Sequence, residues 1–332
     1  MKTSVAMITY CSEKYGVEFL IKQLDSIKNQ TVKPDEVIIA DDCSSDNTVE
    51  IIKSYISDNK LSGWSVYSNE KNLGFTKNSL GAIMKTSGDV VFLADQDDIW
   101  VETKIEEVVK VYKAETDAMV VSTRFKYINQ DDEFINDPFG EKDCSKDTGD
   151  YDELGIEYFL GTSFIPGCAL SVRGSIREVI ENIGMIDLNK SLGNDWFLHM
   201  CAMCSGKEFR LNRPLLLRRF HTSNLSMQGF RKNKLLKGDK EKRALYLNET
   251  IYAHKYFYEN EFFRDGASDK KLDLMKKTIE LWELRLKLFN TKNPFVIPKL
   301  LKYKDCYEMT VVNLDDWKHP FKADIGYTYL SK

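Results

Sequence analysis

The chain of 332 residues, 42% hydrophobic and 30% charged, suits a globular enzyme built as one large domain or two small ones. A formal net charge of -4 argues against a general nucleic-acid binder, and no apolar run reaches the roughly 18 residues of a membrane-spanning helix. Seven scattered cysteines, an odd number, exclude a disulfide framework.

Ser4-Val5-Ala6-Met7-Ile8-Thr9-Tyr10 predicts a first strand, and it starts so near residue 1 that no signal peptide is expected before it. Apolar positions at helical spacing predict a helix over Val17–Ile27. Glu36-Val37-Ile38-Ile39-Ala40 predicts a second strand, which runs into Asp41-Asp42-Cys43-Ser44-Ser45-Asp46-Asn47-Thr48. Asp46 is a candidate N-cap for a helix carrying Val49, Ile51, Ile52 and Tyr55. Asn72-Leu73-Gly74-Phe75 turns into a further helix holding Leu80, Ile83 and Met84. Val90-Val91-Phe92-Leu93-Ala94 then reads as a buried strand that breaks abruptly into Asp95, Asp97 and Asp98.

Such alternation predicts an α/β fold, a mostly parallel sheet with helices on both faces. Ligands of these sheets sit beyond the carboxyl ends of strands, where Thr9, Asp41, Asp42 and Asp95 to Asp97 fall. Crowded carboxylates repel one another and call for a cation or a donor-rich ligand. A hard divalent ion that also bridges a diphosphate would satisfy them. A solvated acidic loop is the plainer reading of so short a motif.

Taken together, these residues resemble the inverting glycosyltransferases of family 2. The match comprises Thr9-Tyr10, the run Asp41 to Thr48, Asn72-Leu73-Gly74, Lys77-Asn78, Gly88-Asp89 and Ala94-Asp95-Gln96-Asp97-Asp98-Ile99-Trp100, in that order across the first third of the chain. The acidic motif in this form looks like that of bacterial rhamnosyltransferases of surface polysaccharide synthesis. The resemblance implies a GT-A (Rossmann-like) nucleotide-sugar-binding sheet over residues 1–230, with a nucleotide-sugar half to about 115 and an acceptor half beyond it. Residues 231–332 form a mainly helical C-terminal extension in this expectation.

The second half supplies further candidates. Glu133 to Glu153, rich in Asp, Gly and Lys, reads as an exposed loop. The segment around Pro166-Gly167-Cys168 resembles one beneath the family's acceptor site, which makes Gly167 a candidate for close approach of backbone and acceptor; an ordinary turn into a strand reads as well. In Asn194-Asp195-Trp196, an Asx residue ahead of an apolar run caps a helix by default. The resemblance makes Asp195 the general base and Trp196 an acceptor contact, although Asn194 stands where the family usually has His. Leu215 to Asn224 reads as a strand feeding a polar turn; His221 matches a family histidine near metal and diphosphate. Arg218 or Arg219 would offset diphosphate charge, but strand alternation turns only one of them toward it. Cys201 and Cys204 read as small apolar packing residues within a helix.

The resemblance therefore implies a nucleoside-diphosphate sugar donor, with Thr9, Tyr10, Asp41, Asp42, Asn72, Lys77 and Asp95 on the nucleotide side. Asp97 and His221 are the implied ligands of Mg2+ or Mn2+, and thymidine-diphosphate rhamnose is the expected donor, ahead of uridine-diphosphate hexoses. The acceptor is a glycan or lipid-linked glycan hydroxyl, and the location cytoplasmic or peripheral on the inner membrane face. A glycoside hydrolase would need neither the Asp41-Asp42 signature nor a metal. A sugar nucleotidyltransferase would carry a Gly-rich phosphate loop after the first strand, which Thr9-Tyr10-Cys11-Ser12-Glu13 lacks. A binding module without catalysis fits poorly with Asp95, Asp97 and Asp195 together.

Past Arg231-Lys232-Asn233-Lys234-Leu235-Leu236-Lys237, long helices are expected over Ala244–Phe263 and Lys270–Phe289. They cover the catalytic domain or form a homodimer interface. The basic patch is a solvated face or a contact with anionic lipid.

Overall fold

A computed structural model of the chain describes residues 1–138, 146–160, 165–185, 192–221 and 240–304, together with 306, 321, 324, 325, 328 and 329. The chain groups into two compact units. The first comprises Met1–Leu154, Ile165–Glu181 and Gly206–His221, and the second Gly155–Phe164, Asn182–Ser205 and Thr222–Lys332. The units interleave along the chain.

The first unit is built on a mixed sheet with helices on both sides. Strands β1 (Thr3–Thr9), β2 (Glu36–Asp41), β3 (Trp64–Ser68) and β4 (Val90–Ala94) run parallel in the order β3-β2-β1-β4. Helices α1 (Ser12–Lys28), α2 (Thr48–Asp58) and α3 (Phe75–Lys85) connect them. Every residue of β4 is buried, so its unbroken apolar run reflects burial on both faces. The register sets Thr9 opposite Asp41 and Met7 opposite Ala94. Asp41 and Asp95 therefore emerge at one rim of the sheet.

Residues 101–132, unassigned from periodicity above, form helix α4 (Lys104–Ala114) and the 11-residue strand β6 (Ala118–Ile128). The sheet continues through β9 (Leu170–Arg173), antiparallel to both β4 and β6, and then β10 (Lys207–Arg219), parallel to β6. The short β5 (Ile99–Trp100) closes the path against β10. β10 begins eight residues before the strand expected from Leu215, because the chain runs on through Pro214 with register shifts on either side. Proline has no N–H for the ladder and is tolerated at such irregularities. Within the expected loop Glu133 to Glu153, β7 (Phe134–Ile135) pairs with β6 and β8 (Tyr151–Leu154) with β10.

The described residues of the second unit are mainly helical. Helix α5 (Ile176–Ile183) leads into it, and α6 (Asn194–Ser205) brings Trp196 and Phe197 into its core. Trp196 meets Phe257 edge-on at 5.5 Å, and Phe257 meets Phe263 likewise at 5.5 Å. The helix expected to run from Ala244 to Phe263 is instead two, Lys240–Glu259 and Glu261–Gly266, because the Asn260 side chain accepts a hydrogen bond from Phe263 N and starts a new helix. The long helix Asp269–Thr291 follows. Its Arg285 holds buried Asp324 through Nε at 2.7 Å, and Arg243 reaches the same carboxylate at 2.6 Å. The expected basic patch at 231–237 lies outside the described residues.

Helix α1 is longer than expected because it starts at Ser12 and crosses a break at Gly16, whose φ of 145 is open to glycine alone. A Cβ there would meet the Phe19 ring at 2.4 Å. That ring packs on the Arg219 guanidinium (4.4 Å) and the His221 imidazole (5.4 Å). Gly16→Ala is expected to cost about 1–3 kcal/mol of stability. The check is a urea unfolding curve, where the midpoint should fall at unchanged slope; a wild-type midpoint would show that the kink accepts a side chain.

Candidate active site

The rim is organised first by two acids with little freedom. Asp41 is fully buried, and its carboxylate accepts from Thr9 Oγ1 (3.2 Å), Ser44 Oγ (2.5 Å), Ser44 N (2.9 Å) and Ser68 Oγ (2.9 Å). Asp42 accepts from Leu73 N (2.7 Å), Gly74 N (2.8 Å) and Asn69 Nδ2 (3.0 Å). Three donors leave Asp42 about one further acceptor site. Asn72 donates its side-chain amide to the Asp42 carbonyl at 3.2 Å, so Asp41, Asp42 and Asn72 form one hydrogen-bonded loop assembly. Asp46 accepts from Thr48 N at 3.1 Å, as a cap would, although Asn47 holds the N-cap position. Tyr10 and Lys77 are exposed at the same end of the strands.

The acidic turn after β4 is fastened from two sides. Gln96 Oε1 accepts from Tyr10 N (2.7 Å) and Ser12 Oγ (2.6 Å), and its amide donates to Tyr10 O (3.3 Å). This couples the acidic turn to the β1–α1 loop. Buried Arg219 fastens the other side: its backbone N–H donates to Asp98 Oδ1 (2.9 Å), its Nε to the Asp97 carbonyl (2.8 Å), and its NH1 to Asp132 (2.5 Å). Arg219 thus supports the turn, while Arg218 lies over the Tyr127 ring, and its charge favours the ionised forms of Asp95 and Asp98. Alternation along β10 separates the two arginines as expected.

Electrostatics at the turn are unfavourable as they stand. Burial, then Asp98 and Asp97, pushes the Asp95 carboxyl above its ordinary value. Burial and Asp97 do the same to Asp98. Burial also pushes the Cys168 thiol up and the Lys104 ammonium down to about 8. Lys104 is buried, donates to Cys168 O at 3.0 Å, and lies over the Trp100 ring at 4.1 Å.

These residues fit a divalent cation. Asp97 Oδ2 and His221 Nε2 stand 2.8 Å apart, near the roughly 3 Å spacing of adjacent ligands on one octahedral ion. Asp95, Asp98 and Cys168 offer ligand atoms within 4.8 Å of one another. Carboxylate oxygen with imidazole suits Mg2+ or Mn2+, and the added charge would relieve the crowding. Sequence reasoning missed Gln96 and Arg219 as supports of this turn, and missed the buried Lys104. Gln96 sits inside the motif, but nothing in its neighbours announces a contact across the sheet.

Other expected residues have different surroundings. Gly167 begins a 3-10 turn (Gly167–Ala169) that feeds β9, and is partly exposed. Asp195 lies in the first turn of α6, where its carboxylate accepts from Trp196 N at 2.8 Å. Trp196 departs from expectation: it is fully buried, and its indole N–H donates to Phe159 O at 2.8 Å. It is a core residue of the helical unit, with no face presented to an acceptor. Cys201 and Cys204 are buried in the same helix, as packing residues.

Comparison with known proteins shows the family and the fold. The model of glycosyl transferase family 2 matches residues 4–180, so the chain belongs to that family and is a glycosyltransferase. An uncharacterized glycosyltransferase of Nostoc sp. is 25% identical over 228 residues, covering 68% of this chain and 67% of the relative. The crystal structure of Staphylococcus aureus TarS in complex with UDP-GlcNAc is similar with a TM-score of 0.62 and 16% identity, covering 100% of this chain and 93% of that one. GalNAc-T7, solved with UDP, GalNAc and Mn2+, is similar at a TM-score of 0.50 and 16% identity over 67% of this chain and 44% of that one. These structural likenesses establish the GT-A fold.

The acids at the rim separate by experiment. Asp41→Ala removes the acceptor for four hydrogen bonds and is expected to destabilise by about 2–4 kcal/mol. Asp97→Asn is expected to stay within about 1 kcal/mol of wild type yet lose Mn2+ binding. Calorimetric titration with the metal alone, beside thermal unfolding, gives both readings. Wild-type Mn2+ affinity in Asp97→Asn would remove Asp97 from the ligand set.

Proposed function

We propose that this glycosyltransferase is metal-dependent and inverting, and moves a sugar from a nucleoside diphosphate to a hydroxyl of a glycan or lipid-linked glycan in bacterial surface polysaccharide synthesis. The observation that carries the proposal is the Asp97–His221 pair, 2.8 Å apart at the rim where the parallel strands end. A uridine-diphosphate N-acetylhexosamine is the first donor to test, since TarS was solved with UDP-GlcNAc. The motif Asp95-Gln96-Asp97-Asp98-Ile99-Trp100 favours thymidine-diphosphate rhamnose as the second.

In this mechanism Thr9, Tyr10 and the Asp42 loop, with Asn72 and Lys77, receive the nucleoside. Asp95 lies on the ribose side. Asp97 and His221 would hold Mg2+ or Mn2+, which supplies charge for the departing diphosphate. Gln96 and Arg219 keep the acidic turn and the Tyr10 loop in fixed relation, so the site needs little reorganisation when the donor arrives. Asp195 is the proposed base. It takes the proton from the acceptor hydroxyl as that oxygen attacks the anomeric carbon, and the nucleoside diphosphate leaves in the same displacement. No sugar–enzyme bond forms, so no second nucleophilic carboxylate is required.

Asp195→Asn keeps the size of the side chain and removes its basicity. Turnover is expected to fall roughly 10²–10⁴-fold, with donor affinity by calorimetry unchanged. A parallel loss of donor binding would make Asp195 structural. A screen of uridine-, thymidine- and guanosine-diphosphate sugars identifies the donor by the nucleoside diphosphate released. Pyrophosphate as the product would instead mark a nucleotidyltransferase.

A further inference from the structure

From Leu284 to Lys304 the chain carries no Asp or Glu, but it carries Arg285, Lys287, Lys292, Lys299, Lys302 and Lys304. Arg285 is buried against Asp324. The segment Pro294–Tyr303 runs as consecutive short helical turns, Pro294–Val296, Ile297–Leu300 and Leu301–Tyr303. Its inner side is fixed: Val296 and Leu300 are buried in a cluster with Leu281 and Leu288 of the long helix Asp269–Thr291. The outer side follows from helical spacing. Phe295, Pro298, Lys299 and Lys302 share one face, with Leu301 on its flank, and all five are exposed.

Two features set this face apart from ordinary surface. Phe295 is 80% exposed and Leu301 46% exposed, a large apolar area displayed to solvent. The adjoining acids are engaged: Glu283 pairs with Lys255 at 2.6 Å and Glu280 accepts from the Tyr303 hydroxyl at 2.7 Å. Among the described residues, no carboxylate pairs with Lys292, Lys299 or Lys302. An exposed aromatic ring and exposed lysines on one pinned amphipathic turn are the chemistry of an interfacial lipid anchor. A symmetric dimer through the same face would set Lys299 and Lys302 against a second positive patch, which electrostatics disfavours.

We propose that the outer side of Pro294–Tyr303 docks the protein on an anionic bilayer. Phe295 and Leu301 enter the boundary between headgroups and acyl chains, and Lys292, Lys299 and Lys302 meet lipid phosphates. This binding is independent of sugar transfer and stands whether or not the donor assignment is right.

The test is sedimentation of the full chain with phosphatidylglycerol–phosphatidylcholine vesicles and with phosphatidylcholine vesicles, at low and high salt and without donor. Binding is expected to the anionic vesicles only, and to weaken with salt. Lys299→Gln combined with Lys302→Gln should lower the partition coefficient roughly 20–30-fold at low salt, and much less at high salt. Phe295→Ser should lower it at both salts, with an unchanged melting curve. Failure of the wild type to bind anionic vesicles overturns the proposal. So does wild-type binding by both variants, which would move the contact to another surface such as 231–237. Loss of a dimer by Phe295→Ser in sedimentation velocity without vesicles would show that a second copy covers the face.

Discussion

Three carboxylates within four positions repel one another, and the rim depends on the groups that hold them together. Arg219 supplies its backbone N–H to Asp98 and its guanidinium to the Asp97 carbonyl, with its own ring contact on Phe19. Gln96 ties the same turn to the backbone of Tyr10. Neither contact cancels the negative charge: burial and mutual repulsion still raise the Asp95 and Asp98 carboxyls. The turn is therefore mechanically defined and electrostatically incomplete. A cation-binding site needs both properties, because rigid ligands cost little to order and uncompensated charge favours the ion.

The acids at the rim divide by their hydrogen-bond environment. Asp41 is enclosed by hydroxyl and backbone donors from β1, β3 and its own loop, so its carboxylate fixes the shape of that loop. Asp97 faces His221. The two lie in equally acidic stretches of sequence, and only their partners distinguish the acid enclosed by its own loop from the acid that faces an imidazole. Arg218 and Arg219 divide the same way on β10: the first acts on the charge of the acids, the second on the position of their backbone.

In the helical unit, the same logic turns polar residues into structure. Trp196 satisfies its indole N–H on a buried carbonyl, and Asp324 binds two arginines. Truncating one partner of such a group leaves buried polarity uncompensated, which costs more than the contact itself contributes. The outer surface of Pro294–Tyr303 is different in kind. Its inner apolar side is packed, and its outer apolar side is not.

The parallel half of the sheet was legible in the amino-acid sequence, since strand, helix and turn signals alternate cleanly from Ser4 to Trp100. The rim acids were legible too, because an apolar run that breaks into aspartates must end a buried strand. The family followed from those motifs in their order. Other features were decided by tertiary structure. Strand β10 extends through Pro214 because a neighbouring strand supplies its ladder partners. Asn260 divides a helix whose apolar spacing continues across the break, since one side-chain bond to Phe263 N outweighs periodicity. Trp196 faces a core instead of an acceptor, Gln96 ties the acidic turn to the backbone of Tyr10, and buried Lys104 donates to the Cys168 carbonyl. The division has one physical cause. Local sequence determines which backbone conformation a segment prefers and which face is apolar, whereas the partner of a polar side chain comes from a residue distant along the chain.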